Sequence, residues 1–556
     1  MSEVLQRYIS DGIKVLDRME NDSSRGNALS HELLMSLIRK NENTEYGKKY
    51  GFGEIKSYED YAARVPLSSY DDYEPYIERM LCFNQKNLLT TDEVVYYSHT
   101  SGTTGASKMI PCTREAIDVF FSAIYERIFG LYEQYSREQN KEGMPLCKGI
   151  TLMESKPAYT TYGISHGAIS EAALIPKDIP LYSALPKELV YPTADFDRRY
   201  LKMLFALRES HLGFIQCTFA PFMYDMLAHL RQHWSEMCHD IETGSINEDI
   251  VVDPSLRKKL EEQLTPDPER AAKVREIMTE HGDEAFVPLL WPEMKMIATV
   301  GTSSFAPYLE KIRQFTGPDI VVDYLGYVCS EATIGTVFQE NQAQYMLIPW
   351  GGFYEFIPME EGASDKPLLM DQLEVGKEYE LVITNLSGFY RYRLGDVVRV
   401  TGYHNECPMI VCSYRKSQLI SMYGEKVTEL VLHNAVEKTA EEAGIEILEY
   451  SVYANMETEP GHYTVLLESD HEIMPNVWPD YAEILNRKIC EMHDSYRQKI
   501  EKKIMLPLDV KFVQPQTYAL YRDLKVMGGA SPNQIKPIHV ISDGRLKRFF
   551  FGLIQR

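Results

Sequence analysis

The residues that could do chemistry begin at "YYSHTSGTTGASKMIP", positions 96 to 111. Here Ser101, Gly102, Thr103, Thr104, Gly105, Ala106 and Ser107 lead to Lys108. Glycines let backbone N–H groups approach an anion closely, hydroxyls add short donors, and lysine adds a point charge. "EVVYY" before the loop reads as a strand. After it Ile117, Phe120, Phe121, Ile124 and Ile128 recur at helical spacing. The expected order is strand, loop, helix, with the positive end of that helix completing a phosphate cradle. It is not a Walker A loop, which needs Gly-Lys-Ser/Thr in succession, whereas Gly105 and Lys108 are separated and Met109 follows. A Ser/Thr-rich surface turn is the competing reading.

Three more stretches bear on the same chemistry. "YVCSEATIG" sets Tyr327 four residues before Glu331. An aromatic ring can stack on a base while a carboxylate holds Mg²⁺; a strand-end tyrosine and a solvated glutamate are the plain alternative. "GFYRYRLGDVVRV" sets Asp396 after Gly395 where a strand pauses, and a carboxylate there can accept both hydroxyls of a ribose or simply sit in a turn. The Gly-rich "GGASPNQIKPIHV" carries Lys536, which alone reads as a solvated surface lysine. His233, Cys238 and His239 suggest a metal site on paper, but their spacing does not stack them on one helical face and no fourth ligand is near, so zinc is not expected.

These groups need elements to position them. At 556 residues the chain is too long for one core. Strands alternate with helices: "HLGFIQCTF" precedes "APFMYDMLAHLRQHW", and "MKMIATV", "DIVVDYL" and "EYELVITNL" are bounded by turn residues. An α/β architecture follows. "LDRMENDSSRGNALS" and "PMEEGASDKP" read as surface connections. The best boundary lies near Ser413, where "MIVCSY" meets the charged "RKSQ", giving domains 1–413 and 414–556. Nine scattered cysteines without a Cys-x-x-Cys pair fit free thiols in a reducing compartment. There is no apolar run long enough to span a bilayer and no signal peptide at the N-terminus, so a cytoplasmic protein is expected. The net charge of −23 disfavours nucleic acid and anionic membranes as partners, and any anionic substrate must be met by local cations. A monomer is the default expectation.

Together the motifs resemble the adenylate-forming (acyl-adenylate, firefly luciferase-like) enzymes. More closely, the chain resembles the Gretchen Hagen family of auxin-responsive acyl acid amido synthetases. "TEYGKKYGF", "VPLSSYDDYEPYIERM", "TSGTTGASKMIP", "LLWPEMKMIATVGTSSFAPY", "FYEFIP", "EYELVITNLSGFYRYRLGDVVRVTGYHNECP" and "GGASPNQIKP" follow in that family's order, from about residue 40 to residue 540. The resemblance implies a large N-terminal domain of sheets layered with helices plus a small β-barrel, binding ATP and the acyl substrate. A smaller mobile α+β lid would carry the catalytic lysine.

Carried over by position, Ser101, Gly102, Thr103, Thr104 and Lys108 would hold phosphates. Tyr327, Cys329 and Ser330 would border adenine and the acyl carboxylate, and Glu331 would place Mg²⁺. Asp396 would hold the ribose. Arg415 would reach the nucleotide and Lys426 would sit near it in one domain orientation, with Arg415 and Lys416 at the hinge, and Lys536 would be the catalytic lysine. Two departures stand out: Cys329 replaces a common serine, and no arginine follows shortly after Lys536. The implied reaction activates a carboxylic acid with ATP and passes the acyl group to an amino acid. An acyl-CoA ligase and a non-catalytic nucleotide-binding regulator are the alternatives; intact Lys108, Glu331, Asp396 and Lys536 argue against the last. The acyl pocket is expected to border residues 154–170, with Tyr159, Tyr162 and His166 either as wall residues or as residues that merely pack or cap.

Overall fold

Leu5, Tyr8, Ile9, Gly12 and Met19 share one buried helical face, and they open the chain as a helix over Glu3–Ser23. A second helix, Gly26–Lys40, follows almost at once. The connection read from "LDRMENDSSRGNALS" is therefore mostly helix. Arg18 reaches Asp22 one turn on at 3.0 Å, and Ser23 bonds back to Glu20 O at 2.8 Å, so polar side chains finish the first helix instead of ending it early. The computed structural model describes residues 3–100, 108–138, 148–155, 158–172, 183–282, 284–302, 305–337, 341–360, 366–416, 420–527, 535–541 and 544–556. The chain divides into two units. The first comprises residues up to Thr100, Met109–Leu394 and Val398–Val411; the second comprises Gly395–Val397 and Cys412–Arg556, joined by Lys108.

The first unit holds a parallel sheet of Lys148–Thr151, Leu212–Phe219, Met296–Val300 and Val321–Asp323, in that order. Parallel strands need crossovers and cover on both faces, so they read as near-continuous apolar runs. The helix Arg198–Arg208 is buried at every residue from Tyr200 to Leu207, which places it inside this layer. A second sheet runs Met109–Thr113, Val94–His99, Ser165–Gly167, Ala158–Tyr159. A seven-stranded sheet follows the order Gly352–Pro358, Glu378–Asn385, Tyr392–His404, Cys407–Arg415, Tyr345–Leu347, Thr333–Thr336, Gly326–Val328. The helix Glu3–Ser23 packs against Arg127–Glu138 through two glycines. A Cβ on Gly12 would stand 2.3 Å from Glu126 O, so only glycine fits that crossing.

The strand–loop–helix order expected around the Ser/Gly/Thr loop needs correction. Val94–His99 pairs antiparallel with Met109–Thr113, His99 facing Met109 and Tyr97 facing Pro111. The helix begins only at Arg114, capped by Thr113, whose hydroxyl accepts Ala116 N–H at 3.3 Å. Pro111 is the physical reason, since it cannot donate within a helix and is tolerated in a strand. Five strand residues put the helix start roughly 15 Å of chain beyond Lys108. The helical spacing from Ile117 onward is real but interrupted: Arg114–Phe120 passes through a π turn, Phe121–Glu126, into Arg127–Glu138.

The second unit is built on a sheet ordered Asp509–Phe512, His462–Glu468, Glu449–Asn455, Val540–Ile541. Helices Glu429–Ala443 and Trp478–Met492 contribute Leu432, Val436, Tyr481 and Leu485 to a core with Val452, Val465 and Phe512. Thr428 caps the first of these helices and Gly444, at φ +65°, ends it. The fold is thus mixed α/β, with a large N-terminal and a small C-terminal part. Among the described residues, no helix is long and apolar enough to cross a membrane.

Candidate functional site

In the first unit Tyr327, Cys329, Ser330 and Glu331 share one hairpin. Gly326–Val328 pairs with Thr333–Thr336, Tyr327 opposite Gly335. Tyr327 therefore lies within a short strand of its own, just after the strand Val321–Asp323. Leu325, at φ +60°, sets up the hairpin. Arg127 and Asp323 hold that strained residue from both sides: Arg127 Nη2 donates to Leu325 O at 2.7 Å, and Asp323 Oδ1 accepts Leu325 N–H at 2.7 Å. The two also form a bidentate pair at 2.7 and 2.9 Å, with side chains 0% and 1% exposed. The π turn frees the Ala123 carbonyl from its helical partner. That oxygen accepts Thr336 Oγ1 at 2.6 Å and Arg127 Nε at 3.2 Å.

The tip of the hairpin is tied on three sides. Ser330 Oγ donates to His99 O at 2.9 Å, Asn385 Nδ2 donates to Glu331 O at 2.7 Å, and Tyr392 OH donates to Glu331 Oε1 at 3.2 Å. Beside the tip lies a cavity whose apolar wall includes Ile117, Phe120, Ile169 and Leu386, with Ser330 and Glu331 among its polar lining. Cys112 also lines it; burial pushes its thiol up to about 12, so it is no nucleophile at neutral pH. His166 stacks on His99 with rings 4.9 Å apart and 14° from parallel. Burial, helped by His166, holds the His99 imidazole below its usual pKa. Tyr159 and Tyr162 do not wall this cavity: both are exposed, at 61% and 48%, and Tyr162 OH donates to Cys82 O at 3.1 Å.

In the second unit Asp396, Arg415 and Lys536 come together. Gly395, at φ +79°, kinks the strand Tyr392–His404, which continues through Asp396 and does not pause there. Asp396 is buried and accepts Arg415 Nε at 2.5 Å and Nη2 at 3.1 Å. Lys536 is half-buried beside them. Burial pushes its ammonium below the usual lysine pKa and Arg415 adds to this, while Asp396, Cys412 and Glu429 pull the other way. One carboxylate and two cations in a partly desolvated cluster can recognise a group carrying both hydroxyls and phosphate.

Lys426 is exposed at φ +57° in the turn closed by the Ile420–Val427 bridge, and the structure does not bring it to that cluster. Lys108 is half-buried just before the strand Met109–Thr113. Ser101, Gly102, Thr103 and Thr104 lie outside the described residues. Among the described residues, no set of three or more His, Cys, Asp or Glu side chains could hold a metal ion alone.

Sequence reasoning missed Asn385, Tyr392 and Glu429. Asn385 had a local signal: its Oδ1 accepts Ser387 N–H and Phe389 N–H at 2.9 and 2.8 Å, a turn that "TNLSGF" spells out. Tyr392 and Glu429 had none, because their partners lie 61 residues away for Tyr392 and 110 for Glu429.

Comparison with known proteins identifies one family over most of the chain. The model of the GH3 family N-terminal domain matches residues 15–321, that of the central domain 345–415 and that of the C-terminal domain 431–545. Indole-3-acetic acid-amido synthetase GH3.3 of Arabidopsis thaliana is 28% identical, over 95% of this chain and 92% of its own. Jasmonoyl–L-amino acid synthetase GH3.5 of Oryza sativa subsp. japonica is 27% identical, over 96% and 95%. The solved GH3.15 acyl acid amido synthetase shares the fold with a TM-score of 0.81 at 23% identity, covering 97% of this chain and 96% of that one. The chain belongs to the GH3 family of acyl acid amido synthetases.

Proposed function

We propose that this acid–amino acid ligase works in two half-reactions on ATP. A carboxylate is a poor electrophile because its leaving group would be oxide. In the first half its oxygen attacks the α-phosphorus of ATP and pyrophosphate leaves. In the second, an amino acid's amine attacks the acyl carbon, an amide forms and AMP leaves. Membership of the family implies the use of ATP.

The observation that carries the residue roles is the Asp396–Arg415–Lys536 cluster. Asp396 and Arg415 serve the ribose and its phosphate, and Lys536 serves the charge that grows on the α-phosphoryl oxygens. Tyr327 and Ser330 border the base and the acyl carboxylate, and Cys329 lines the same wall. Lys108, with Ser101, Gly102, Thr103 and Thr104, serves the β- and γ-phosphates, and Lys426 reaches the nucleotide. The donor set suits Mg²⁺, which takes one or two carboxylates alongside phosphate oxygens, and Glu331 supplies one such carboxylate. Mg²⁺ held there would supply positive charge beside the phosphate oxygens as the adenylyl group is transferred. The cavity beside Ser330 and Glu331, with its apolar wall, takes the acid's body.

The test is acid-dependent exchange of pyrophosphate into ATP across a panel of carboxylic acids. Indole-3-acetic and jasmonic acids come first because relatives are named for them. Products are then identified by mass spectrometry with all amino acids and, separately, with coenzyme A. An amide is expected. A thioester without any amide, or no exchange with any acid, would overturn the proposal.

A further inference from the structure

The segment that carries Lys536 has little backbone pairing of its own. It joins the second unit's sheet through two residues, Val540 beside Val452 and Ile541 beside Tyr453. Val452 N–H donates to His539 O at 2.8 Å, and Ser451 Oγ bonds Ile538 O. A strand this short fixes its flanks weakly. The side chain of His539 supplies what the backbone lacks. It is 4% exposed, and its Nδ1 pairs with Glu429 Oε1. Its ring lies flat on Tyr450, 4.2 Å away and 8° from parallel. Glu429 opens the helix Glu429–Ala443, where a carboxylate is favoured by the helix dipole. The same carboxylate acts electrostatically on Lys536.

We propose that His539 is a positioning residue, which through Glu429 and Tyr450 fixes the segment bearing Lys536 so that the ammonium stays beside Asp396 and Arg415. This rests on the reading of Lys536 as the cation that meets the α-phosphate. Only two residues, Pro537 and Ile538, separate the lysine from the histidine, at most about 10 Å of chain. Pro537 stiffens that span by fixing φ. Anchoring the imidazole therefore sets where the lysine can reach.

The experiment uses the full chain in the variants His539→Ala, Glu429→Ala, the double variant, His539→Asn and Lys536→Ala. Hydrogen–deuterium exchange is read on the peptide over residues 535–541, with the central strand His462–Glu468 as the reference for global folding. Adenylation is read as pyrophosphate exchange with indole-3-acetic acid as the probe. His539→Ala and Glu429→Ala are each expected to speed amide exchange over 535–541 about tenfold, leave the reference strand unchanged, and lower kcat about tenfold with KM for ATP held within about twofold.

Because the two groups act as one unit, the double variant is expected to lose no more than either single one. His539→Asn, which keeps a donor near the Nδ1 position, restores most of both losses. Unchanged exchange over 535–541 in either single variant, or losses that multiply in the double, overturns the proposal. Should indole-3-acetic acid give no turnover, the amide-exchange arm alone decides. Lys536→Ala separates the two readings: it is expected to slow adenylation about 10²–10³-fold while amide exchange over 535–541 stays as in the parent. Adenylation slowed less than about tenfold in Lys536→Ala removes the lysine's role, whereas the anchor stands or falls on amide exchange.

Discussion

The hairpin Gly326–Thr336 and the segment Lys536–Ile541 both present proposed site residues, but they are fastened in opposite ways. The hairpin is held from beneath by a buried ion pair, Arg127–Asp323, by a carbonyl released from a π turn, and by the other five strands of its sheet on one flank. The lysine segment has a two-residue strand and one partly buried pair, His539–Glu429. The geometry of the first is a consequence of folding the core around it. The geometry of the second is set by fewer contacts, in which only Ile541 is fully buried while Ile538 and Val540 pack at the margin of the core. Damage to the first should therefore appear as lost stability, and damage to the second as lost rate.

The largest expected effect is on the hairpin side. Asp323→Ala leaves the Arg127 guanidinium buried without its carboxylate and Leu325 N–H without its acceptor. Removing one partner of a buried pair costs about 3–5 kcal/mol. Urea unfolding should show that loss, with soluble yield falling too. A change below about 1 kcal/mol would mean water replaces the carboxylate, and the comparison would break at its strong end.

Lys536→Ala should behave in the reverse manner. Loss of one preorganised cation at a developing oxyanion costs about 10²–10³ in kcat, or roughly 3–4 kcal/mol of transition-state stabilisation. The lysine's folded-state pKa is depressed by burial, so its protonated form is disfavoured by the fold and deleting it should not destabilise the chain. The midpoint of urea unfolding is expected to stay put or rise. A drop in stability matching the drop in rate would erase the distinction between the two regions.

How much of this was legible in the sequence follows from the range of each interaction. Strands such as Met296–Val300 and Glu378–Asn385 announced themselves through local patterning, because burial on a sheet selects apolar and β-branched residues one by one. The helix start was misplaced at the Ser/Gly/Thr loop because helical spacing after Ile117 was read back across Pro111, which belongs to a strand. Tyr327, Ser330 and Glu331 could be suggested by residue type and resemblance. Their fastening could not: Arg127 meets Asp323 across 196 residues and Ser330 meets His99 across 231. Asp396 and Arg415, 19 residues apart on neighbouring strands, were each singled out, but nothing in their spacing said that they pair. The exposed Tyr159 and Tyr162 show the converse, since aromatic residues near a site invite a pocket reading that only burial can test.

The smallest effect sharpens the comparison most. Thr428 caps the helix Glu429–Ala443, its hydroxyl accepting Val431 N–H at 3.3 Å. Thr428→Ala removes that acceptor, and losing such a cap typically costs about 1 kcal/mol. The first residue released as the helix frays is Glu429, which holds His539. A cap elsewhere in the molecule, such as Ser57, which accepts Asp60 N–H at 3.2 Å on the helix Tyr58–Arg64, touches no such link. Thr428→Ala and Ser57→Ala should therefore lose similar stability, about 1 kcal/mol each in urea. Only Thr428→Ala should speed amide exchange over residues 535–541, by about two- to fivefold, the share of a 1 kcal/mol fraying step that reaches Glu429. Equal amide exchange in the two variants would show that the lysine segment does not depend on where Glu429 stands, and the contrast between a core-held hairpin and a separately anchored arm would have to be drawn at some other contact.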